Sequence, residues 1–580
     1  MWKKSWRFIK SICAILGGLV IICGLGFGIY QWNASDAVYV PENSALIIDF
    51  SQDINETGEK SLIDELNDAS VLRLQSVLQA IELAGYDDHI KVLVARLDTT
   101  ELEMAQIEDI ARAIMNFRAL GKRAYVFSQG FGPLGQGNRE YYLATFFDKI
   151  YMQPHTTIGL TGVSVEVPFA KNLLQKFGIE PEFYARYEYK TAMSSFTDKS
   201  ISPAYKQELV NLTQGIMQVL KAEISHNRNV ENIDEIINKA PLSAEEGLNL
   251  GLIDEIMYFP DLQAELKQKE NVKNFIEMKN YVKAVKSYDG DMPTIAYLTL
   301  SGVIDKGQSS SDFDSEYTIG SQNVVSDIAE IAKLENLKAV IVRIDSPGGD
   351  YNAADEIYYA LQKLKRDKNV PIIISQGGYA ASGGYFISLA GDKIIAEPLT
   401  ITGSIGVLGG KPVFQKLWQK IGLNWAEIKD GNNADILSVN KPFSPEEKRI
   451  FNRFLDDVYD DFTQKVIDNR PLTKNINEIA RGRVWLGWQA KELGLVDELG
   501  GYGEAFAAAQ ELAKLNPEEK FKLIEYPKAK SFSEKMTALL LGQEVNMPKL
   551  LSQSGVDIRY LKLFKRLQYD TVMTPFEIKM

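Results

Sequence analysis

Uninterrupted apolar runs punctuate this chain, and amphipathic stretches separate them. Ala339–Ile344 and Pro371–Ser375 lack the polar alternation of a strand with one wet face, whereas Ser321–Glu335 and Ala353–Arg366 repeat apolar residues at helical spacing. Buried strands joined through helices predict a parallel sheet covered on both faces, and hence an α/β domain. Ile295–Leu300 opens this pattern, and Ala45–Phe50 opens an earlier copy of it.

The duplication is legible residue by residue. Lys91–Asp98 reads against Lys338–Asp345, and Ser128-Gln-Gly130 against Ser375-Gln-Gly377, both at an offset of 247. Asp148-Lys-Ile150 meets Asp392-Lys-Ile394 at 244, and Gly-Leu-Ile-Asp254 meets Gly-Leu-Val-Asp497 at 243. One small net deletion brings the halves into register. The expected organisation is a first repeat over 45–257, a helical connector over 258–293, a second repeat over 294–501 and a helical extension over 502–580. Within that extension, Ser531–Leu541 and Val556–Gln568 carry apolar faces suited to docking or oligomer formation.

The first 40 residues follow a different pattern. Lys3, Lys4, Arg7 and Lys10 precede an uncharged stretch whose apolar centre, Ile12–Tyr30, is 19 residues long. As a helix it would cross a hydrocarbon core, with Trp2, Trp6, Tyr30 and Trp32 as interfacial anchors. The cations before the span predict an N-terminus in the cytoplasm and the remainder outside it. A cleaved signal peptide is the alternative, but its apolar region is usually shorter and no convincing cleavage site follows. Cys13 and Cys23 are the only cysteines and both lie in this span, so the exported body has neither a disulfide nor a thiol nucleophile.

Composition changes the picture little. At 580 residues, 45% hydrophobic and 24% charged, the chain can build more than one large core. A net charge of −13 disfavours a nucleic-acid partner, which would need a basic stripe. Without a His-Glu-x-x-His helix, a cysteine cluster or a glycine-rich nucleotide loop, no metal or cofactor is implied.

Candidate chemistry lies where the copies differ. Ser346-Pro-Gly-Gly349 follows a buried strand, and glycines there admit a ligand and leave backbone N–H groups free as an oxyanion hole. The first copy has Asp98-Thr-Thr-Glu-Leu102 instead, so the fold does not require the glycines. In Tyr379-Ala-Ala-Ser-Gly-Gly-Tyr385, Ser382 reads as an N-cap or site-shaping turn, with nucleophile and oxyanion donor as its other readings. In Thr402-Gly-Ser-Ile-Gly-Val407 the flanking glycines persist as Gly159 and Gly162, while Ser404 becomes Leu160. The turn is retained and only the hydroxyl is lost, which makes Ser404 a nucleophile candidate beside its plainer reading as a turn serine.

A serine nucleophile needs a base. His89, His155 and His226 all lie in the other copy and outside any catalytic motif, which leaves a desolvated lysine. Lys190, in Tyr187-Glu-Tyr-Lys-Thr-Ala-Met193, falls on Ala434 of the second copy. One copy thus keeps a nucleophile candidate and the other a base.

Ser346-Pro-Gly-Gly349, Ala380-Ala-Ser-Gly-Gly384, Thr402-Gly-Ser-Ile-Gly406, Tyr189-Lys-Thr-Ala192 and Ile201-Ser-Pro203 together resemble the long, duplicated bacterial signal peptide peptidases. These are membrane-bound serine/lysine-dyad proteases related in fold to ClpP and the crotonases. The resemblance spans roughly 45–501 and implies tandem ClpP-like domains behind one transmembrane helix, on the outer side of a bacterial inner membrane. It further implies a homo-oligomer, a tetramer, whose sites face an enclosed apolar interior. Ser404 would be nucleophile and Lys190 base, with Gly349 the first oxyanion candidate and Ser382 or Gly383 the next. Apolar peptides such as cleaved signal peptides would be the substrates. The rivals are a non-catalytic membrane-anchored scaffold, which predicts loss of catalytic residues from both copies, and a crotonase-type acyl-CoA enzyme, which the predicted topology disfavours.

Overall fold

The computed structural model describes residues 39–58, 71–284, 292–309, 318–516 and 520–528. The expected anchor at Ile12–Tyr30 and the tail helices at Ser531–Leu541 and Val556–Gln568 lie outside these residues. No helix among the described residues is long and apolar enough to cross a membrane.

Two sheets, each with a core of parallel strands in one order, form the frame, and in the second an antiparallel pair, Ile401–Gly403 with Val484–Leu486, is added. In the first, the order is Glu255–Ile256, Lys149–Met152, Arg123–Ser128, Ile90–Arg96, Ser44–Asp49 and Asn274–Glu277. In the second, Glu498–Leu499, Lys393–Ala396, Ile372–Ala381, Leu337–Ser346, Thr294–Ser301 and Lys522–Tyr526 follow one another in the same order. The central strands are buried along nearly their whole length, as their largely apolar runs predict. Both sheets also reuse the same polar locks. Asp254 accepts from the Ile150 N–H and Asp497 from the Ile394 N–H, each at 2.7 Å. The Tyr141 hydroxyl donates to Leu252 O at 2.8 Å, and the Tyr385 hydroxyl to Leu495 O at 2.9 Å.

The predicted helical connector and helical extension each need correction. The connector begins with helix Phe259–Lys269 but then supplies strand Asn274–Glu277, which pairs with Ser44–Ile47. The extension begins with helix Tyr502–Leu512 and then supplies strand Lys522–Tyr526, paired with Thr294–Leu298. Each repeat closes its sheet edge with a short strand from beyond its predicted boundary. Such segments are rich in polar residues, and pairing with a distant opening strand is what makes them extended.

The repeats do not stay apart. Helix Met104–Ala119 of the first repeat packs against strand Ile372–Ala381 of the second. Arg343, buried in the second sheet, is held by Glu56 at 2.9 Å and Asp109 at 2.8 Å from the first repeat. Leu399, Ile401, Val484 and Leu486 join the same hydrophobic core as Leu212 and Ile216. A two-stranded antiparallel ribbon completes the union, with Glu180–Arg186 of the first repeat running against Val407–Val413 of the second.

Candidate active site

Lys190 stands just beyond that ribbon. Its strand ends at Arg186, and the following turn is closed by the Lys190 N–H to Tyr187 O at 3.2 Å. The second repeat presses against this turn through Gly482. A Cβ there would lie 2.3 Å from Lys190 N, and φ of +89° already demands glycine. Arg483 stacks its guanidinium over the Tyr189 ring at 3.6 Å, and its carbonyl accepts the Ser404 N–H at 2.7 Å. The Ser382 N–H donates to Gly403 O at 2.8 Å. These bonds stitch the lysine turn and both serine loops into one unit.

Within it, Lys190 Nζ lies 2.7 Å from Ser382 Oγ, 2.9 Å from Ser404 Oγ and 2.9 Å from Ser404 O. Lys190 is 5% exposed, Ser404 1% and Ser382 0%. Burial lowers the Lys190 amine to about 7, with a nearby carboxylate, Glu208, pulling the other way. An ammonium here has three acceptors for its three N–H bonds. A neutral amine keeps two donors and offers a lone pair to one hydroxyl.

The two serines differ in how they meet the lysine. Ser404 offers both its hydroxyl and its carbonyl, so it grips Nζ from one side. Ser382 offers only its hydroxyl and sits at φ 56°, ψ −112°, between strand Ile372–Ala381 and helix Gly383–Ser388. That conformation is sparsely populated for a residue with a Cβ, and such strain is held only where surrounding structure enforces it. The expected capping role is overturned, because the Ser382 side chain makes no cap hydrogen bond and turns to the lysine instead.

The expected oxyanion residues pack against one another just beyond Ser382. A Cβ built on Gly383 would lie 3.3 Å from Gly349 N and 3.5 Å from Gly348 Cα, so the helix start faces the Pro-Gly-Gly turn. Gly349 has no room for a side chain, since a Cβ there would lie 1.9 Å from Ile304 O. Beside Lys190 opens a cleft of about 490 Å³, with Phe183, Tyr184, Met193 and Leu408 among its walls.

The repeat register explains what sequence reasoning missed. The paired Tyr141 and Tyr385 locks put Ser382 opposite Asn138, the same offset that sets Ser404 opposite Leu160. Asn138 is buried and exchanges two hydrogen bonds with Gly162, so the first repeat fills this place with a structural amide. The copies differ by three residues just before it, which hid the loss of this second hydroxyl. Glu208 was also passed over, because a lone glutamate on an amphipathic helix carries no motif.

Parallel α/β sheets covered by helices, duplicated along the chain, place the fold in the Clp-like class. The Clp protease model matches residues 315–400, and the peptidase family S49 model matches 136–273 and 364–516, half of the chain. The chain belongs to peptidase family S49 and is a serine peptidase. The chloroplastic serine protease SPPA of Arabidopsis thaliana is 29% identical over 528 residues, covering 87% of this chain and 77% of that protein. Protease 4 of Salmonella typhi is 28% identical over 547 residues, covering 89% of this chain and 86% of its own length. Protease 4 of Haemophilus influenzae is 29% identical over 549 residues, covering 88% and 86%.

Proposed function

We propose that this chain is a membrane-anchored endopeptidase that hydrolyses apolar peptides, such as cleaved signal peptides, with Ser382 as nucleophile and Lys190 as base. Ser404 then orients the lysine, in place of the nucleophilic role its sequence context predicts. The observation that carries this reading is the 2.7 Å approach of Lys190 Nζ to the hydroxyl of Ser382, the serine that immediately precedes Gly383 and its packing against the Gly348-Gly349 turn.

Neutral Lys190 takes the Ser382 proton as Oγ bonds to the scissile carbonyl carbon. The carbonyl oxygen becomes an oxyanion held by the N–H groups of Gly349 and Gly383. The Lys190 ammonium returns its proton to the departing amine, the C–N bond breaks, and an acyl ester on Ser382 remains. Water then gives a proton to Lys190 and attacks the ester, which releases the acid and restores the serine. Ser404, with two acceptors on Nζ, fixes the amine so that its lone pair points at Ser382.

The apolar cleft walls suit an apolar chain, and the Ile12–Tyr30 segment would hold the enzyme where such peptides are released. A homo-oligomer, the tetramer that the family resemblance implies, is supported by unmatched repeat counterparts. Residues 424–430 correspond to the paired ribbon strand Glu180–Arg186, yet they form no strand and expose Trp425 (60%) and Ile428 (99%). The test is labelling of the full chain with a fluorophosphonate. Label should enter the wild type and Ser404→Ala, and be absent from Ser382→Ala and Lys190→Ala. Undiminished labelling of Ser382→Ala would overturn the assignment.

A further inference from the structure

The mechanism leaves one buried acid beside the lysine unused. Glu208 lies on helix Pro203–Arg228, whose start is fixed by Ser202 accepting the Tyr205 N–H and by proline in the first turn. The side chain points inward and is 5% exposed. Glu208 Oε1 accepts the Val484 N–H at 3.0 Å, across the boundary between repeats. Val484 follows the two residues that touch the site directly, Gly482 against the Lys190 backbone and Arg483 on the Ser404 N–H.

We propose that Glu208 is a positioning residue for Lys190: it anchors the 482–484 segment against the lysine turn and, in its ionised form, raises the basicity of the amine. The proposal rests on the serine/lysine reading above and deepens it. Lys190 spends its polar contacts on the serines, so the amine and the carboxyl interact through space. Separated opposite charges are costly in a dry interior, and a neutral amine with a protonated carboxyl is the alternative of equal net charge. Burial raises the Glu208 carboxyl to about 8, while the Val484 N–H, Lys190, Arg483 and Thr191 act to lower it. The Tyr205 hydroxyl also feels the carboxylate. The two groups therefore titrate in adjoining ranges, near 7 and near 8, each feeling the other's charge. The Glu208 charge offsets part of the desolvation that would otherwise weaken the base further.

Glu208→Gln separates the roles, because its amide oxygen can still accept from Val484 while the charge is gone. The acid limb of kcat/KM on an apolar peptide should move to lower pH, by at least about half a unit, with thermal stability close to wild type. Glu208→Asp retains a carboxyl and should return the limb toward the wild-type position even where the Val484 contact loosens. A Glu208→Gln limb that superimposes on wild type would overturn the proposal. So would an Asp variant shifted as far as the Gln variant, since the charge would then not be the cause. If Lys190→Ala retained full activity, the serine/lysine reading itself would fail, a result distinct from either.

Discussion

Lys190 Nζ and Ser382 Oγ stand 192 positions apart in the chain, on opposite repeats, and meet at 2.7 Å. Neither repeat holds a complete site. The first has Asn138 and Leu160 where the second has serines, and the second has Ala434 where the first has the lysine. In the proposed mechanism, peptide hydrolysis therefore depends on the packing between repeats as directly as on the reacting groups.

The two serines should separate kinetically. Ser382→Ala is expected to lower kcat by about 10⁴-fold or more, as loss of a nucleophile does. Ser404→Ala should cost about 10- to 10³-fold while still forming an acyl-enzyme, because it removes one of the two acceptors it places on Nζ. Steady-state rates with burst-phase detection of the acyl-enzyme will distinguish them.

Activity should rise with pH through about 7. The lysine is active when neutral, and burial places its transition near that value. Below it, kcat/KM should fall about tenfold per unit as the ammonium accumulates. Lys190→Arg, charged at every accessible pH, should be inactive throughout. A kcat/KM profile on a peptide substrate checks both.

Gly349→Ala should abolish turnover. The new methyl would meet Ile304 O, displacing the backbone N–H proposed to hold the oxyanion. Removing one such donor typically costs about 10²- to 10³-fold in kcat, and the clash adds to it. Fluorophosphonate labelling should slow in parallel with peptide turnover.

The buried Arg343 should matter for stability and for the union of the repeats. Arg343→Met leaves Glu56 and Asp109 buried without their cation, a loss of about 3–5 kcal/mol by denaturant unfolding. The pH dependence has a definite sign. Burial already raises the Asp109 carboxyl above its unfolded value, and removing Arg343, which lowers it, raises it further. An acid raised on folding loses stability as pH climbs above its unfolded value near 4. The variant should therefore approach wild-type stability in mild acid and fall furthest below it at neutral pH and above.

Interruption of the exposed counterpart segment tests assembly. Ile428→Glu with Trp425→Glu should leave folding intact, since both side chains are exposed, and should reduce the oligomer mass seen by analytical ultracentrifugation.

The local pattern of the chain determined a good deal by itself. Largely apolar runs such as Ala339–Ile344, interrupted only by Arg343, pointed to strands buried on both faces, and the Asp254 and Asp497 motifs marked matched ends of two copies. Lys190 stood out because it is a lysine among aromatic and small residues with an alanine in the other copy. Tertiary structure decided what these signals cannot encode. The edge strands Asn274–Glu277 and Lys522–Tyr526 exist because distant opening strands pair with them. The two serines look alike along the chain, each beside glycines and each lost from the first copy. Only the fold shows that Ser404 reaches Lys190 through hydroxyl and carbonyl, and Ser382 through its hydroxyl alone, next to a Gly383 backbone packed against Gly349. Both sit at positive φ, and what distinguishes them is the long-range approach to Lys190, which arises from packing across the repeat boundary.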